Sequence, residues 1–159
     1  MKRSSTKPVA LRIVAWPSTP LGPLWAEVDA KGAVLALQWG RPPKNATVVS
    51  VPSLQKSIDA YFKKGASLDK VKIRLEGTPF QQKIWQAVRS IPPGTVMSYG
   101  ELAHEHHTGP RAVARVLAST VIPLIIPCHR VVAAGGKLGG YGHMGLEHKK
   151  WLLQHEGAL

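Results

Sequence analysis

Two helix-start signatures, Thr78-Pro79-Phe80-Gln81 and Ser98-Tyr99-Gly100-Glu101, constrain this chain more than any other feature. In each, a hydroxyl residue stands three positions before a Gln or Glu, the spacing at which side chains and backbone N–H groups cap one another reciprocally. Pro79 sits in the first helical position, where a missing N–H is no loss. The spacing predicts a helix that buries Phe80, Ile84, Val88 and Ile91 and stops at Pro92-Pro93-Gly94. A second helix runs to about His107, and Thr108-Gly109-Pro110 turns the chain into a third, which makes a helix-turn-helix.

Upstream the period changes. Val9 to Trp16, Leu24 to Val28 and Val34 to Trp39 alternate as strands do, separated by Pro17-Ser18-Thr19-Pro20, Gly22-Pro23 and Lys31-Gly32. They predict a small antiparallel sheet. Pro52 to Lys64 carries Leu54, Ile58, Tyr61 and Phe62 at helical spacing, which predicts an amphipathic helix packed on that sheet and ended by Gly65. Residues 66–76 read as a connection. The expected fold class is α+β: an N-terminal sheet part over 1–76, then a mainly helical part over 77–159 that carries the helix-turn-helix and a lone cysteine.

With 159 residues and 44% hydrophobic side chains the chain can build a real core. Its single cysteine excludes an intramolecular disulfide and any multi-cysteine zinc site, which fits a reducing compartment, so a cytoplasmic address is expected. Lys2 and Arg3 resemble the start of a signal peptide, but Arg12 interrupts the nearby apolar stretch and no later run approaches membrane-spanning length. The net charge of +12 favours a polyanion, nucleic acid first. Charge does not locate the site: residues 1–77 carry 13 basic and 5 acidic side chains (+8), and residues 78–159 carry 8 and 4 (+4).

Local pattern does better. On the third helix Val113, Val116 and Leu117 share one side, while Arg111, Arg115 and Ser119 recur every four residues on the other with Ala114 and Ala118 between them. Small residues among arginines suit close approach to a phosphate backbone. Shortly after comes Ile126-Pro127-Cys128-His129-Arg130, read as the end of an apolar strand. A lone cysteine is often a small buried hydrophobe, but here its neighbours His129 and Arg130 are placed to lower the thiol pKa and make it nucleophilic. Adjacent residues on an extended strand face opposite ways, so thiol and imidazole need a turn or a bridging water to communicate. Glu156 is a candidate to orient the imidazole in a Glu-His-water-Cys relay. Gly135-Gly136 and Gly139-Gly140-Tyr141-Gly142 form a loop permissive enough for backbone to approach a planar ligand. His104, His106 and His107 lack a metal-binding spacing and read as helix-end polar residues, and the five tryptophans read as packing.

Taken with Gly77-Thr78-Pro79-Phe80-Gln81, Ile84-Trp85, Ile91-Pro92-Pro93-Gly94, Ser98-Tyr99-Gly100-Glu101-Leu102-Ala103, Ile126-Pro127-Cys128-His129-Arg130-Val131, Lys149, Leu152-Leu153 and Glu156-Gly157, the chain resembles the O6-alkylguanine-DNA alkyltransferase family over nearly all of residues 77–157. Thr19-Pro20-Leu21-Gly22-Pro23-Leu24 resembles the family's N-terminal part more loosely. The resemblance implies a monomer that binds double-stranded DNA containing alkylated guanine and moves an alkyl group from O6 of guanine, or O4 of thymine, irreversibly to its cysteine. It implies one turnover, no cofactor and no metal. Cys128 is then the acceptor, His129 the base, Glu156 its orienting group, and Tyr99 the donor to guanine N3. Val131 offers a carbonyl to the exocyclic amine, Tyr141, Gly142 and His143 line the pocket with Leu117, and α-helical Arg111, Ala114, Arg115, Ala118 and Ser119 face DNA. Counting back from Cys128 makes Arg111 the finger that replaces the flipped base, whereas another register makes it Arg115.

Three departures stand out. The span from Tyr99 to Cys128 is two or three residues shorter than the family's, Ser119-Thr120-Val121 replaces its asparagine hinge, and a residue is inserted in Gly142-His143-Met144-Gly145. Two rivals stand beside this reading: a DNA-binding module that flips alkylated guanine without reacting, against which Cys128 argues, and a multiple-turnover cysteine enzyme acting on a small molecule, which the altered hinge and loop make conceivable.

Overall fold

The computed structural model describes residues 11–141 and 144–159. Three strands form where alternation predicts them: β1 (Arg12–Trp16), whose expected start at Val9 lies outside the described residues, β2 (Leu24–Val28) and β3 (Val34–Trp39) pair antiparallel in sequence order. A fourth, β4 (Thr47–Val48), joins β1 in parallel, so the sheet is mixed with order β3-β2-β1-β4 and not purely antiparallel. Two exposed residues carry no periodic signal, which is why pattern reading passes over β4. Among the described residues no helix is long and apolar enough to cross a membrane.

Helix α1 (Pro52–Lys64) has the expected bounds and closes on Gly65 in the left-handed region. Its buried residues Leu54, Ile58 and Tyr61 share one core with Val14, Trp16, Leu24 and Ala26 of the sheet, and Phe62 meets Trp39 edge-on at 6.3 Å. Helix α2 (Pro79–Arg89) begins with both halves of its capping box formed. It buries Ile84, Trp85 and Val88, but Phe80, in the first turn, is 37% exposed and does not belong to the buried stripe. The indole of Trp85 donates to the Val116 carbonyl at 3.4 Å and closes off the space beside Gly77, where a Cβ would lie 2.6 Å from the ring.

The second capping box starts α3 (Tyr99–Glu105) just after β5 (Met97–Ser98), so Tyr99 is the first helical residue. The turn through His107, itself at φ 54°, leads to α4 (Pro110–Ala118), which buries Val113, Val116 and Leu117 as its wheel predicts. Past the cysteine, β6 (Val131–Val132) pairs parallel with β5, and α5 (Gly145–Glu156) ends at Gly157, φ 82°. The core runs without interruption from Val14 to Leu152. Sheet and helical parts also share backbone bonds, since the Leu37 N–H on edge strand β3 donates to the Val121 carbonyl at 2.9 Å.

Because Thr78 caps α2 through a bond from the Gln81 N–H, Thr78→Ala should lower stability by about 1 kcal/mol. Urea unfolding should show a reduced midpoint at unchanged slope.

Candidate active site

The apolar run before the cysteine is not a strand. Pro123 and Pro127 have no N–H to give a ladder, and the chain folds on itself: Ile126 N–H donates to the Ile122 carbonyl at 3.0 Å and Ile125 N–H to Pro123 at 2.8 Å. Leu124 takes φ 71°, a conformation L residues adopt at a cost, and its fully buried side chain holds it there. Cys128–Arg130 then form one 3₁₀ turn, with Cys128 N–H donating to the Ile126 carbonyl at 2.7 Å. The tight turn supplies the change of direction that an extended strand lacks. It leaves the Cys128 thiol against the Ile126 carbonyl at 3.2 Å and sends His129 and Arg130 into the interior.

Both interior side chains meet Glu156, whose carboxylate is fully buried. His129 Nε2 lies 2.6 Å from Oε2; Arg130 donates from Nε to Oε1 at 2.8 Å and from Nη2 to Oε2 at 3.0 Å. Tyr61 Oη, from α1, donates to the same Oε2 at 2.6 Å. Burial alone pushes the Glu156 carboxyl up, but the bonds from His129, Arg130 and Tyr61 outweigh it and hold the pKa at about 2. The carboxylate is therefore ionised and can only accept. Nε2 of His129 must then carry the proton, which leaves Nδ1 as the basic nitrogen, and Nδ1 has no protein hydrogen-bond partner among the described residues.

Above the thiol opens a cavity of about 420 Å³ walled by Tyr99, Ala114, Leu117, Ala118, Pro123, Tyr141 and Met144, with Gly140 on the loop side. Gly139 takes φ +71°, the left-handed region that favours glycine, beside the Tyr99 ring. The fully buried Lys149 of α5 clamps the same wall, donating from Nζ to the carbonyls of Val131 at 2.7 Å and Gly140 at 3.0 Å. Burial brings its pKa down to about 8, against the pull of a Cys128 thiolate.

Electrostatics correct one expectation. The neighbours do not pre-activate the thiol: burial pushes Cys128 up to about 12, and Lys149 offsets this only in part. Arg130 is turned away toward Glu156 and the Ile91 carbonyl, which Nη1 reaches at 2.6 Å. Burial also lowers the His129 pKa despite Glu156, and burial raises Tyr99 and Tyr141. The resting site thus holds a thiol, a neutral imidazole and two neutral phenols, an arrangement suited to proton transfer during a reaction rather than before it.

Helix α4 joins this cavity to the surface. Ala114 and Ala118 are exposed and line the cavity mouth, while Leu117 is buried behind them. Arg111 and Arg115 are exposed, and among the described residues neither has an acidic partner. Ser119 caps α4 with its hydroxyl turned back to the Val116 carbonyl at 2.7 Å. In the Ser119-Thr120-Val121 segment the Thr120 hydroxyl finds no partner among the described residues, and Val121 is held by Leu37 of the sheet edge. The expected pocket residues Gly142 and His143 lie outside the described residues.

The model of the 6-O-methylguanine DNA methyltransferase DNA-binding domain matches residues 79–158. The methylated-DNA–protein-cysteine methyltransferase of Salmonella typhimurium is 34% identical over 161 residues, covering 89% of this chain and 94% of the relative. The chain belongs to the O6-methylguanine DNA methyltransferase family. It is also 39% identical over 150 residues to a Thermus thermophilus DNA base-flipping protein, covering 91% of this chain and 99% of that one. The crystal structure of Mycobacterium tuberculosis OGT in complex with DNA superposes with a TM-score of 0.81 at 31% identity, over 93% of this chain and 94% of the other.

Within this family fold, Tyr61 and Lys149 are the site groups that sequence reading did not assign a role, and Arg130 serves Glu156 in place of the role at the thiol expected of it. Lys149 left one trace, a lysine three residues before the apolar pair Leu152-Leu153 on a helix face that must be buried. Tyr61 left none, since it reads as an ordinary core position of α1. The buried carboxylate also fixes a pH dependence. Its folded pKa of about 2 lies below the ordinary 4.5, so its stabilisation is complete above pH 4.5 and is lost as pH falls from there through about 2. Urea midpoints measured across that window should fall in the wild type and fall less steeply in Glu156→Gln, which should be the less stable protein at pH 7.

Proposed function

We propose that this chain repairs double-stranded DNA by taking an alkyl group from O6 of guanine, or O4 of thymine, onto Cys128 in one irreversible turnover, without a cofactor. One observation carries the reading: the only cysteine of the chain lies at the floor of a largely apolar cavity, with a neutral imidazole and a buried carboxylate behind it and an arginine-bearing helix at its mouth. The Cys128 proton passes through a water to His129 Nδ1, sulfur attacks the alkyl carbon, an S–C bond forms and the C–O6 bond breaks. The departing guanine takes a proton at N3 from Tyr99, whose phenol burial keeps neutral. Glu156 stabilises the imidazolium that forms. Val131 keeps a second carbonyl lone pair, beside the one Lys149 uses, for the guanine exocyclic amine. Tyr141 and Leu117 flank the base.

A base stacked in a duplex cannot reach this thiol, so the nucleotide rotates out at a cost of a few kcal/mol. Arg111 fills the space it leaves, Ala114 and Ala118 permit close approach, and Arg115 with Ser119 lies along the phosphates. The protein acts as a monomer in the cytoplasm.

Intact-protein mass spectrometry after incubation with a duplex containing O6-methylguanine should show one methyl group gained per protein and none in Cys128→Ser. An unchanged mass would identify a non-reacting binding module, and continued loss of the lesion beyond one equivalent a multiple-turnover enzyme. General-base assistance is worth roughly 10²–10⁴-fold, so single-turnover rates should fall by that factor in His129→Ala and by less in Glu156→Gln.

The two arginines separate by substrate. Arg111→Ala should slow reaction with duplex DNA far more than with free O6-benzylguanine, which needs no flipping. Arg115→Ala should weaken DNA binding across sequences and reduce the salt dependence by about one counterion. The opposite pattern would move the finger to Arg115.

A further inference from the structure

Tyr61 is a fully buried residue of the N-terminal part, far from the cysteine in sequence, and it holds two consecutive residues at the end of α5. Its hydroxyl donates to Glu156 Oε2 at 2.6 Å, and its own carbonyl accepts from His155 Nε2 at 2.6 Å. The rings of Tyr61 and His155 meet edge-on at 5.3 Å. Oε2 is also the oxygen that receives His129 Nε2, so phenol and imidazole share one acceptor atom. A phenol buried beside a carboxylate is held neutral, since burial and then the Glu156 charge both raise its pKa. Facing an ionised carboxylate, which can only accept, it is the donor in this bond.

Arg130 binds Oε1 and Oε2 along one edge of the carboxylate. Were Arg130 the only other partner, the carboxylate would keep its charge but the direction of Oε2 toward the imidazole would rest on a single planar contact. The Tyr61 bond supplies a third direction. It also draws off part of the charge that Oε2 presents to His129. The ionisable groups around this point are Tyr61 from α1, His129 and Arg130 from the 3₁₀ turn, Tyr141 from the glycine loop, and Lys149 with Glu156 itself from α5; Cys128 completes the set.

We propose that Tyr61 is a positioning residue for alkyl transfer: through Glu156 Oε2 it fixes the imidazole with Nδ1 toward the thiol, which makes the N-terminal helix α1 a working part of the reactive centre. The proposal rests on the roles given above to His129 and Glu156. It assigns the N-terminal part a function in the chemistry, transmitted through one hydrogen bond and independent of DNA contact.

The test uses the full chain and free O6-benzylguanine, so that base flipping plays no part. Tyr61→Phe keeps the ring, its contacts and the backbone carbonyl and removes only the donor. The single-turnover rate at pH 7 should fall on the order of 10-fold, short of the 10²–10⁴-fold range of the base itself. With less charge drawn from Oε2 the imidazole holds its proton more firmly, so the acid limb of the pH–rate profile should move to higher pH. Site-specific 3-fluorotyrosine at position 61 is a stronger donor and should move that limb to lower pH; it also carries the test if Tyr61→Phe does not fold. In a Glu156→Gln background, Tyr61→Phe should slow the reaction no further, because its effect passes through the carboxylate.

An unchanged rate and unchanged acid limb in folded Tyr61→Phe, with His129→Ala and Glu156→Gln both impaired, would overturn the Tyr61 assignment alone. So would a fluorotyrosine shift in the same direction as phenylalanine, or a full additional loss in the Glu156→Gln background. Full activity of His129→Ala and Glu156→Gln would instead remove the relay on which the proposal stands.

Discussion

A carboxylate with no exposure to water is the constraint on which the rest of this site depends. Leaving Glu156 ionised inside the protein is unfavourable unless its lone pairs are taken up by donors. Four hydrogen bonds do this, one from Tyr61, one from His129 and two from Arg130. The donors sit on α1 and on the 3₁₀ turn and the anion itself at the end of α5, so one carboxylate joins three segments distant in sequence. Arg130 extends the network to the Ile91 carbonyl beyond α2. The cohesion of the interior and the tautomer of the His129 imidazole thus follow from the same bonds.

The same burial explains why the resting cysteine is a thiol. Neighbouring cations lower a thiol pKa only when their charge is directed at it, and here Arg130 spends its guanidinium on Glu156 while His129 stays neutral. Burial therefore prevails at the sulfur, and its own backbone N–H and then Lys149 offset it only in part. A thiol held at about 12 is slow to react with adventitious electrophiles and oxidants, which suits a group that a protein can use once.

Helix α4 connects that chemistry to the outside by distributing three tasks around one wheel. Val113 and Val116 anchor it in the core, Leu117 and the two exposed alanines wall the cavity, and Arg111 and Arg115 remain outward and unpaired among the described residues. The Ser119-Thr120-Val121 segment that follows is tied to the sheet by a backbone bond from Leu37. A backbone bond of this kind does not depend on which side chain stands at the hinge.

What the sequence determined by itself is local. The capping boxes at Thr78 and Ser98, the bounds of α1, β2 and β3, and the buried side of α4 depend on residues within a turn or a strand of each other, and each is formed as its pattern predicts. The cysteine motif was legible as chemistry for the same reason. Tertiary structure alone decided the rest: the parallel β4, the folded apolar run that pattern reads as a strand, the exposure of Phe80, the raised thiol pKa, and the reach of Tyr61 to a carboxylate 95 residues away. An apolar run looks alike whether extended or coiled, and a pKa depends on which groups burial brings near and which way their charges point, neither of which is written in the order of neighbours along the chain.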